Sequence, residues 1–447
     1  MAEFNQITIT NDMLDDFSEN FRSVPEYIIA QSAIANVELN KVALNRNRLS
    51  QINHTFSHKL DDWEVTNQQK SGRCWLFAGT NVLRYKAMKK MNVKKFELSQ
   101  GYLFFWDKLE KANYFLENVL ETLDEEVTSR LFMWLLQSPM QDGGQWDMFV
   151  NLVQKYGVVP KEVYPESSNT NLSAYLNQTV TRKLREYASI LRKINNTGKT
   201  VDELRKAKAE MLNEIYRILC IMLGEPPKSF TWDYRNEEKE YHRDASITPQ
   251  EFYAKYVGIN LEDYVCLINA PTSDKPYNKM FTVKYLNNMK DGRPVSYLNI
   301  ESAKIQELAS KQIVDDEAVW FGCDVGKFME RERGILDLDI YNYDLLFDTK
   351  FGMDKATRLD YGESVMTHAM VFTGVNIVDD KPESWRVENS WSDKSGDKGF
   401  FVMSAAWFNE FMYEVVVSKK YLSEEMLIIL EEAPIVLPPW DPMGSLA

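Results

Sequence analysis

The run Asn67-Gln68-Gln69-Lys70-Ser71-Gly72-Arg73-Cys74-Trp75-Leu76-Phe77-Ala78 joins a turn-rich loop to an apolar stretch with helical spacing. Cys74 is therefore predicted at a helix N-terminus, where unpaired backbone N–H groups carry about half a positive charge and favour a thiolate. With an imidazolium beside it, the pKa of such a thiol can fall from about 8.5 to roughly 3–4. A free cysteine is more often a small buried hydrophobe, so neighbouring residues must decide between the two interpretations.

This run resembles the active-site loop of papain-like cysteine peptidases, with Gln68, Gly72, Cys74 and Trp75 at the matching positions. Attack on a carbonyl creates an oxyanion, which the side-chain amide of Gln68 and the backbone N–H of Cys74 can hold. Gly72 lets the loop pass close to a substrate because it has no Cβ. The resemblance implies that Cys74 is a nucleophile and that Gln68 belongs to the oxyanion hole.

The chain has four histidines that could serve as the base, His54, His58, His242 and His368. His54 and His58 have the i, i+4 spacing of a metal-binding pair, but no third ligand is close in sequence, so a surface position is predicted for both. His242 lies in a charged run that looks solvated. His368 opens the apolar run 369–375 and is predicted to begin a buried strand, which makes it the candidate base.

The segment Trp385-Arg386-Val387-Glu388-Asn389-Ser390-Trp391 alternates like a half-buried strand and ends in a polar and aromatic cluster. Asn389 matches the third member of the papain-type site and can orient the ring of His368 while remaining neutral. Trp391 can shield their hydrogen bond from water. Alone, Asn389 reads as a turn residue and Trp391 as a core aromatic, but in order with Cys74 and His368 they predict a peptidase site.

The stretch Gln141-Asp142-Gly143-Gly144-Gln145-Trp146 follows the predicted central helices. Papain-like enzymes use paired glycines there to hydrogen-bond the substrate backbone, which requires two backbones to approach closely. Gly143 and Gly144 are therefore predicted to bind substrate. An ordinary Gly-Gly turn is the alternative.

The composition agrees with a soluble intracellular enzyme, and the proposed thiol site implies no metal or other cofactor. A net charge of −14 argues against nucleic acid as a main partner, because binding to phosphates needs a basic surface. Residues 1–6 lack a basic and then apolar signal segment, and no apolar run approaches the length of a membrane span. Cys220, Cys266 and Cys323 look like buried, reduced thiols, which favours a cytoplasmic location.

His368 follows Cys74 by 294 residues (368 − 74), against roughly 130–150 in papain-sized enzymes. An insertion is therefore predicted, and two helical stripes within 171–223 predict a helical hairpin projecting from the core. From about residue 263 the pattern changes to strands, predicted at 263–269, 296–300, 318–324, 369–378, 385–389, 399–403 and 413–419. The predicted fold is α+β, two-lobed and papain-like, with a large, mainly helical insertion between nucleophile and base.

With this length and insertion, the chain resembles the bleomycin hydrolase and bacterial aminopeptidase C branch of the papain-like peptidases. The resemblance rests on four strings, 65–68, 141–147, 319–326 and 367–370. Ser392 departs from it, because the family usually has glycine after the Trp of Asn-Ser-Trp. The predicted division is an N-terminal extension packing on the core (1–60), a helical lobe (61–165), the helical insertion with oligomer contacts (166–262), a strand-rich lobe (263–432) and a C-terminal tail (433–447).

The last fifteen residues, 433–447, contain four prolines and are predicted to run extended. A frayed tail is the ordinary expectation for a chain end. The resemblance implies instead that the tail enters the cleft, that the carboxylate of Ala447 meets the substrate's α-ammonium, and that the protein forms a homohexamer. The predicted function is cysteine aminopeptidase activity on peptides. The alternatives are an endopeptidase on the same scaffold, a Cys-His acyltransferase and a non-catalytic binding hexamer.

Overall fold

The computed structural model describes residues 7–61 and 63–447. Residues 1–6, for which the sequence predicts no signal segment, lie outside the described residues. No helix in the described ranges is both long enough and apolar enough to cross a membrane.

The helices dominate the first half of the chain, as the sequence predicts. They are α1 (Asn11–Ser23), α2 (Pro25–Ile34), α3 (Leu39–Ala43), α4 (Arg46–Leu49), α5 (Cys74–Met91), α6 (Gln100–Glu121), α7 (Arg130–Gln137), α8 (Trp146–Tyr156), α9 (Ser168–Asn171), α10 (Ala174–Asn195), α11 (Val201–Leu223), α12 (Pro249–Phe252), α13 (Ser302–Val314), α14 (Tyr343–Phe347), α15 (Lys355–Asp360), α16 (Ala405–Phe411) and α17 (Glu424–Ile429). Single turns of other helix types occur at Tyr253–Val257, Leu261–Asp263, Lys419–Tyr421 and Pro442–Gly444.

The strands are concentrated in the second half. They are β1 (His58–Lys59), β2 (Phe230–Arg235), β3 (Tyr241–Ile247), β4 (Tyr264–Ile268), β5 (Lys279–Val283), β6 (Tyr297–Asn299), β7 (Val319–Cys323), β8 (Met329–Glu330), β9 (Ile335–Leu336), β10 (His368–Val378), β11 (Lys381–Glu388), β12 (Phe400–Ser404), β13 (Met412–Ser418) and β14 (Ile435–Leu437). All seven predicted strands are present, whereas β1, β2, β3, β5, β8, β9 and β14 were not predicted.

Twelve strands form one mixed sheet in the order β14-β5-β6-β4-β13-β7-β10-β11-β12-β9-β8, with β1 paired to β10. Alternate residues of β13 face opposite sides of it. Tyr413 and Val416 join the core that contains the helices around α5, whereas Met412, Val415 and Val417 join the core beneath α13 and α16. The sheet is therefore buried on both faces, and its first face meets the helical half of the molecule.

Helix α5 lies at the centre of this packing. Its residues are buried except for Lys86, Lys89 and Lys90, which is the pattern of a core helix rather than an amphipathic surface helix. Asn92 ends the helix in the left-handed conformation, with a φ of 52°. Because α5 packs on β7 and β10, its first residue, Cys74, is held beside the strand that begins with His368.

The predicted helical hairpin exists as α10 and α11, but the prediction that it projects from the core was wrong. Both helices pack on α6, and their apolar stripes are part of the core around α5. Lys208 and Arg205 of α11 form ion pairs with Glu117 of α6.

The four cysteines are all free, and Cys266 and Cys323 are buried as predicted. Cys220 is only partly buried, so the prediction of a fully buried thiol was wrong at that position. It lies near the C-terminal end of α11, where Tyr216, one turn earlier on the same helix, is also partly exposed.

Candidate active site

Cys74 is the first residue of α5, as the sequence predicts, and is only 2% exposed. Burial raises the pKa of its thiol to about 11, although hydrogen bonds from the backbone N–H groups of Ala369, Trp75 and Cys74 itself act in the opposite direction. The lowered pKa expected from a helix N-terminus is therefore not found. Desolvation of a charge outweighs the helix field when the sulfur is buried.

His368 begins β10, and its Nε2 lies 3.0 Å from Oδ1 of Asn389. The amide oxygen accepts from this nitrogen, which leaves Nδ1 as the ring nitrogen available to the thiol. Burial lowers the pKa of His368 to about 4, the bond to Asn389 raises it, and the charge of Arg331 lowers it. The ring of Trp391 lies 4.8 Å from the imidazole centroid and covers this pair.

The raised pKa of Cys74 and the lowered pKa of His368 share one physical cause, which is burial. Burial penalises a thiolate alone and an imidazolium alone, whereas proton transfer within the pair creates both charges together, so each offsets the other's desolvation. A single proton belongs to the pair across the whole range between the two pKa values, about 4 and about 11. The proton needed for acyl transfer is therefore retained at neutral pH.

We expect the acid limb of the pH profile to report this shared proton. Below about pH 4, His368 takes up a second proton and can no longer accept the one on Cys74, so kcat/KM should rise with pH through about 4 and then stay level through neutrality. The measurement is kcat/KM by brief assays from acid to neutral pH, with intrinsic fluorescence as the control for unfolding. An acid limb near 6.5, the pKa of an ordinary histidine, would contradict the pKa that burial lowers at His368.

The loop that carries Gln68 is attached to the strand segment that carries Asn389. The backbone N–H of Gln68 donates to the carbonyl of Ser390 at 2.9 Å, and Asn67 forms a β-bridge with Trp391. The Gln68 amide Nε2 donates to the carbonyl of Ser71 at 2.7 Å. One of its two N–H groups remains for an oxyanion, and the amide is held in place before a substrate arrives.

Asp142 joins the nucleophile loop to the glycine pair. Its Oδ2 accepts from the backbone N–H of Gly72 at 2.9 Å and from the hydroxyl of Ser173, and its Oδ1 accepts from Lys108 at 2.7 Å. Burial alone would raise the pKa of Asp142, but the Lys108 charge and these hydrogen bonds hold it well below its usual range. The carboxylate stays ionised and fixes the loop before Cys74.

Gly143 and Gly144 lie between that loop and the chain end. The N–H of Gly144 donates to the carbonyl oxygen of Ala447, and the N–H of Ala447 donates to the carbonyl of Gly144, both at 3.3 Å. A Cβ on Gly144 would lie 2.5 Å from the ring of Trp75, and one on Gly143 would lie 2.7 Å from the oxygen of Ala447. Both positions therefore require glycine. The site that the sequence predicts for a substrate backbone holds the protein's own terminus.

The tail reaches this position along a series of specific contacts. Gln145 Nε2 donates to the carbonyl of Ser445 at 2.6 Å, and the hydroxyl of Tyr297 donates to the carbonyl of Met443 at 3.1 Å. The hydroxyl of Ser445 donates to the carbonyl of Met366 at 2.7 Å. Ala447 is 4% exposed. The tail is therefore packed rather than frayed, and the Pro442–Gly444 turn interrupts the predicted extended course.

A buried ion pair fixes the strand that carries Asn389 against α5. Glu388 accepts from Arg84 at 2.8 Å, from Asn81 at 2.9 Å and from the indole of Trp63 at 2.9 Å. Arg84 and Glu388 are 4% and 1% exposed. Burial raises the pKa of Glu388, and the charge of Arg84 opposes this rise. This cluster, Trp63, Asn81, Arg84 and Glu388, sets the spacing between helix and strand.

The structure brings together the predicted site residues, namely Gln68, Cys74, Gly143, Gly144, His368, Asn389, Trp391 and Ala447. His54 and His58 are exposed, as predicted. The positioning residues Asp142 and Glu388 were missed. Charged residues within otherwise apolar segments, such as Lys108 in α6, are the sequence signal that could have indicated buried partners.

Ser392, the departure from the family pattern, adopts a φ of 69°. This left-handed backbone favours glycine. The side chain is accommodated without loss of the local pairing, because the N–H of Ser392 still donates to the carbonyl of Thr66 at 3.2 Å. The loop geometry expected for glycine is therefore kept.

Comparisons with known proteins agree with this geometry. Residues 8–444 match the Peptidase C1-like family. The chain is 50% identical over 439 residues to aminopeptidase C of Listeria innocua, covering 98% of this chain and 99% of that protein. It is 44% identical to bleomycin hydrolase of Homo sapiens, covering 96% of each. The crystal structure of PepW from Lactobacillus rhamnosis superposes with a TM-score of 0.97 at 49% identity, covering 99% of this chain and all of that one. The chain therefore belongs to the Peptidase C1-like family of cysteine peptidases, together with aminopeptidase C and bleomycin hydrolase.

Proposed function

We propose that this enzyme is a cysteine aminopeptidase that releases residues from the N-terminus of peptides through a thioester on Cys74. The names of its relatives, aminopeptidase C and bleomycin hydrolase, support the peptidase class. The observation that carries the proposal is the reciprocal pair of hydrogen bonds between Gly144 and Ala447. Because the chain end fills the backbone site of the cleft, a peptide must begin where Ala447 stops.

The proposed reaction uses the residues as they are arranged. The Cys74 proton passes to Nδ1 of His368 while the sulfur attacks the first peptide carbonyl, and Asn389 keeps the ring oriented. The oxyanion accepts from the backbone N–H of Cys74 and from Gln68. When the C–N bond breaks, His368 donates its proton to the leaving amine. Water then gives a proton to His368 and attacks the thioester, which releases the residue and restores the thiol.

The terminal carboxylate of Ala447 gives this arrangement its preference for free N-termini. A carboxylate at the blocked end of the cleft attracts the α-ammonium of a peptide and repels acidic groups. Longer N-terminal extensions would have to displace Leu446 and Ala447. An endopeptidase remains the alternative on the same scaffold, and it would require the tail to leave the cleft.

The complete set of Cys74, His368, Asn389 and Gln68 argues against a non-catalytic binding protein, because binding alone does not need an imidazole that an amide holds in place. An acyltransferase would differ only in the group that attacks the thioester. Added amines therefore separate hydrolysis from acyl transfer, because a transferase would form the aminoacyl amide in place of the free amino acid.

We also propose a homohexamer in the cytoplasm. Exposed apolar residues on α1 and α2, among them Leu14, Phe17, Phe21 and Ile29, form a surface suited to contacts between subunits. The four free cysteines fit a reducing compartment. We propose the segment 166–262 as the insertion into the papain-like scaffold. In addition to α10 and α11 it contains the hairpin β2–β3, which includes His242.

The test compares one peptide with a free and with an acetylated N-terminus. We expect the free peptide to be cleaved at least about 100-fold faster in kcat/KM, because acetylation removes the ammonium charge and adds bulk where Ala447 ends. Mass spectrometry of the products should show stepwise loss of N-terminal residues, with Cys74→Ser as the inactive control. Comparable cleavage of both peptides would contradict the proposed aminopeptidase.

A further inference from the structure

Arg331 is an exposed cation at the edge of the active site. It lies in the turn between β8 and β9, and its guanidinium carbon is 4.6 Å from the centroid of the Trp391 ring, which in turn covers His368. No hydrogen bond or ion pair engages this guanidinium within residues 7–61 and 63–447. Its N–H donors therefore remain available, and the cation–π contact with the indole restrains the side chain.

The turn that presents Arg331 is anchored on both sides. The carbonyl of Glu332 accepts from the N–H of Gly396 at 3.0 Å, and the carbonyl of Gly334 accepts from the N–H of Val402 at 2.8 Å. Gly334 has a φ of 67°, and a Cβ there would lie 2.6 Å from the Cα of Gly396. The backbone under Arg331 is therefore attached to the loop that follows Trp391.

Arg331 lies beside the ring that packs on His368, whereas the tail pairs with Gly144. His368 must donate its proton to the leaving nitrogen, so the departing peptide begins next to His368 and to the indole packed on it. A peptide continuing over the indole reaches the guanidinium of Arg331.

We propose that Arg331 binds a carboxylate of the departing peptide and so directs the enzyme toward substrates with an anionic group just beyond the cut bond. This inference rests on the proposed aminopeptidase function. A guanidinium carries its N–H donors in a planar fork that matches the two oxygens of a carboxylate. That carboxylate can be the C-terminus of a short peptide or an acidic side chain.

The test uses trialanine, trialanine amide and the amide of Ala-Ala-Asp as substrates. In the unmodified enzyme, kcat/KM should be roughly threefold to tenfold higher for trialanine than for its amide, the range expected for a charge-assisted contact at a solvated site. Arg331→Gln should bring this ratio close to one. Arg333→Gln is the matched control, because Arg333 lies in the same turn but pairs with Glu330 at 3.5 Å. Raising the salt concentration should lower the ratio in the unmodified enzyme.

The remaining outcomes show which carboxylate is bound. They also show whether a negative result concerns Arg331 alone or the aminopeptidase function as well. Faster cleavage of the amide of Ala-Ala-Asp than of trialanine amide supports recognition of acidic side chains. If these two amides are cleaved equally but trialanine is cleaved faster than either, Arg331 recognises the C-terminal carboxylate. An unchanged ratio in Arg331→Gln, or an equal loss in Arg333→Gln, overturns the role of Arg331 and leaves the aminopeptidase intact. Absence of cleavage of all three peptides overturns both proposals.

Discussion

Removal of Leu446 and Ala447 should convert the enzyme from an aminopeptidase into one that cleaves N-acetylated peptides. The truncation opens the backbone site at Gly144 and removes the terminal carboxylate, so an extended peptide can pass through the cleft. We expect kcat/KM for an N-acetylated peptide to rise at least about 100-fold, while the advantage of a free N-terminus disappears. The measurement is the ratio of kcat/KM for the free and the acetylated peptide, with product masses to locate the cut bonds.

A matched control is an enzyme extended by two alanines after Ala447. Its extra residues must enter the space used by the substrate, so free peptides should be cleaved more slowly and acetylated peptides should gain nothing. Circular dichroism would confirm that both variants are folded, since β14 and the Lys275–Asp441 ion pair at 2.9 Å hold the preceding segment. Unchanged specificity after truncation would refute the role assigned to the tail.

Arg84→Met should destabilise the protein by about 3–5 kcal/mol, because it leaves Glu388 buried without its counter-ion. The loss should be smaller at acid pH. Without Arg84 the pKa of Glu388, already raised by burial, rises further, so the folded state binds a proton that the unfolded state releases and the penalty grows as the pH rises. Denaturant unfolding at pH 5 and pH 8 measures both effects.

The double variant Arg84→Met with Glu388→Met is the control for this prediction. It removes both charges, so most of the stability lost in the single variant should return. The active-site spacing is a separate readout, since Glu388 directly precedes Asn389. A single variant as stable as the unmodified enzyme at pH 8 would show that the ion pair carries little of the packing between α5 and β11.

The sequence indicates the candidate reacting residues of this site better than the buried residues that hold them in position. Gln68, Cys74, His368 and Asn389 each lie in a short string whose pattern indicates a local structure, so their placement at one site could be predicted without tertiary contacts. Asp142 lies in the glycine string, but no local pattern indicates its role, because its partner Gly72 lies 70 residues away. Glu388 was missed for the same reason, since Arg84 is 304 residues distant.

The fold was predicted where apolar patterns are long. Strand β10 reads as a continuous apolar run and was predicted nearly to its ends. The hairpin β2–β3 was missed because only one side of it packs on the core, through Phe230, Trp232, Tyr234 and Ile247. Most of its other residues are polar and exposed, so the charged run around His242 was expected to be solvated. Strand β14 was missed because prolines flank it at Pro434 and Pro438, and such residues favour an extended coil.

The contact between Ala447 and Gly144 also makes the tail an intramolecular ligand of the cleft. A ligand joined to its own binding site competes at a fixed local concentration, commonly in the millimolar range for a short tether, however dilute the protein becomes. Self-occupancy of the cleft is thus independent of how much enzyme a cell contains. A free peptide with the sequence of the last residues could replace the tail in a truncated enzyme only near that concentration. We therefore expect the covalent link itself to carry much of the specificity proposed for the tail.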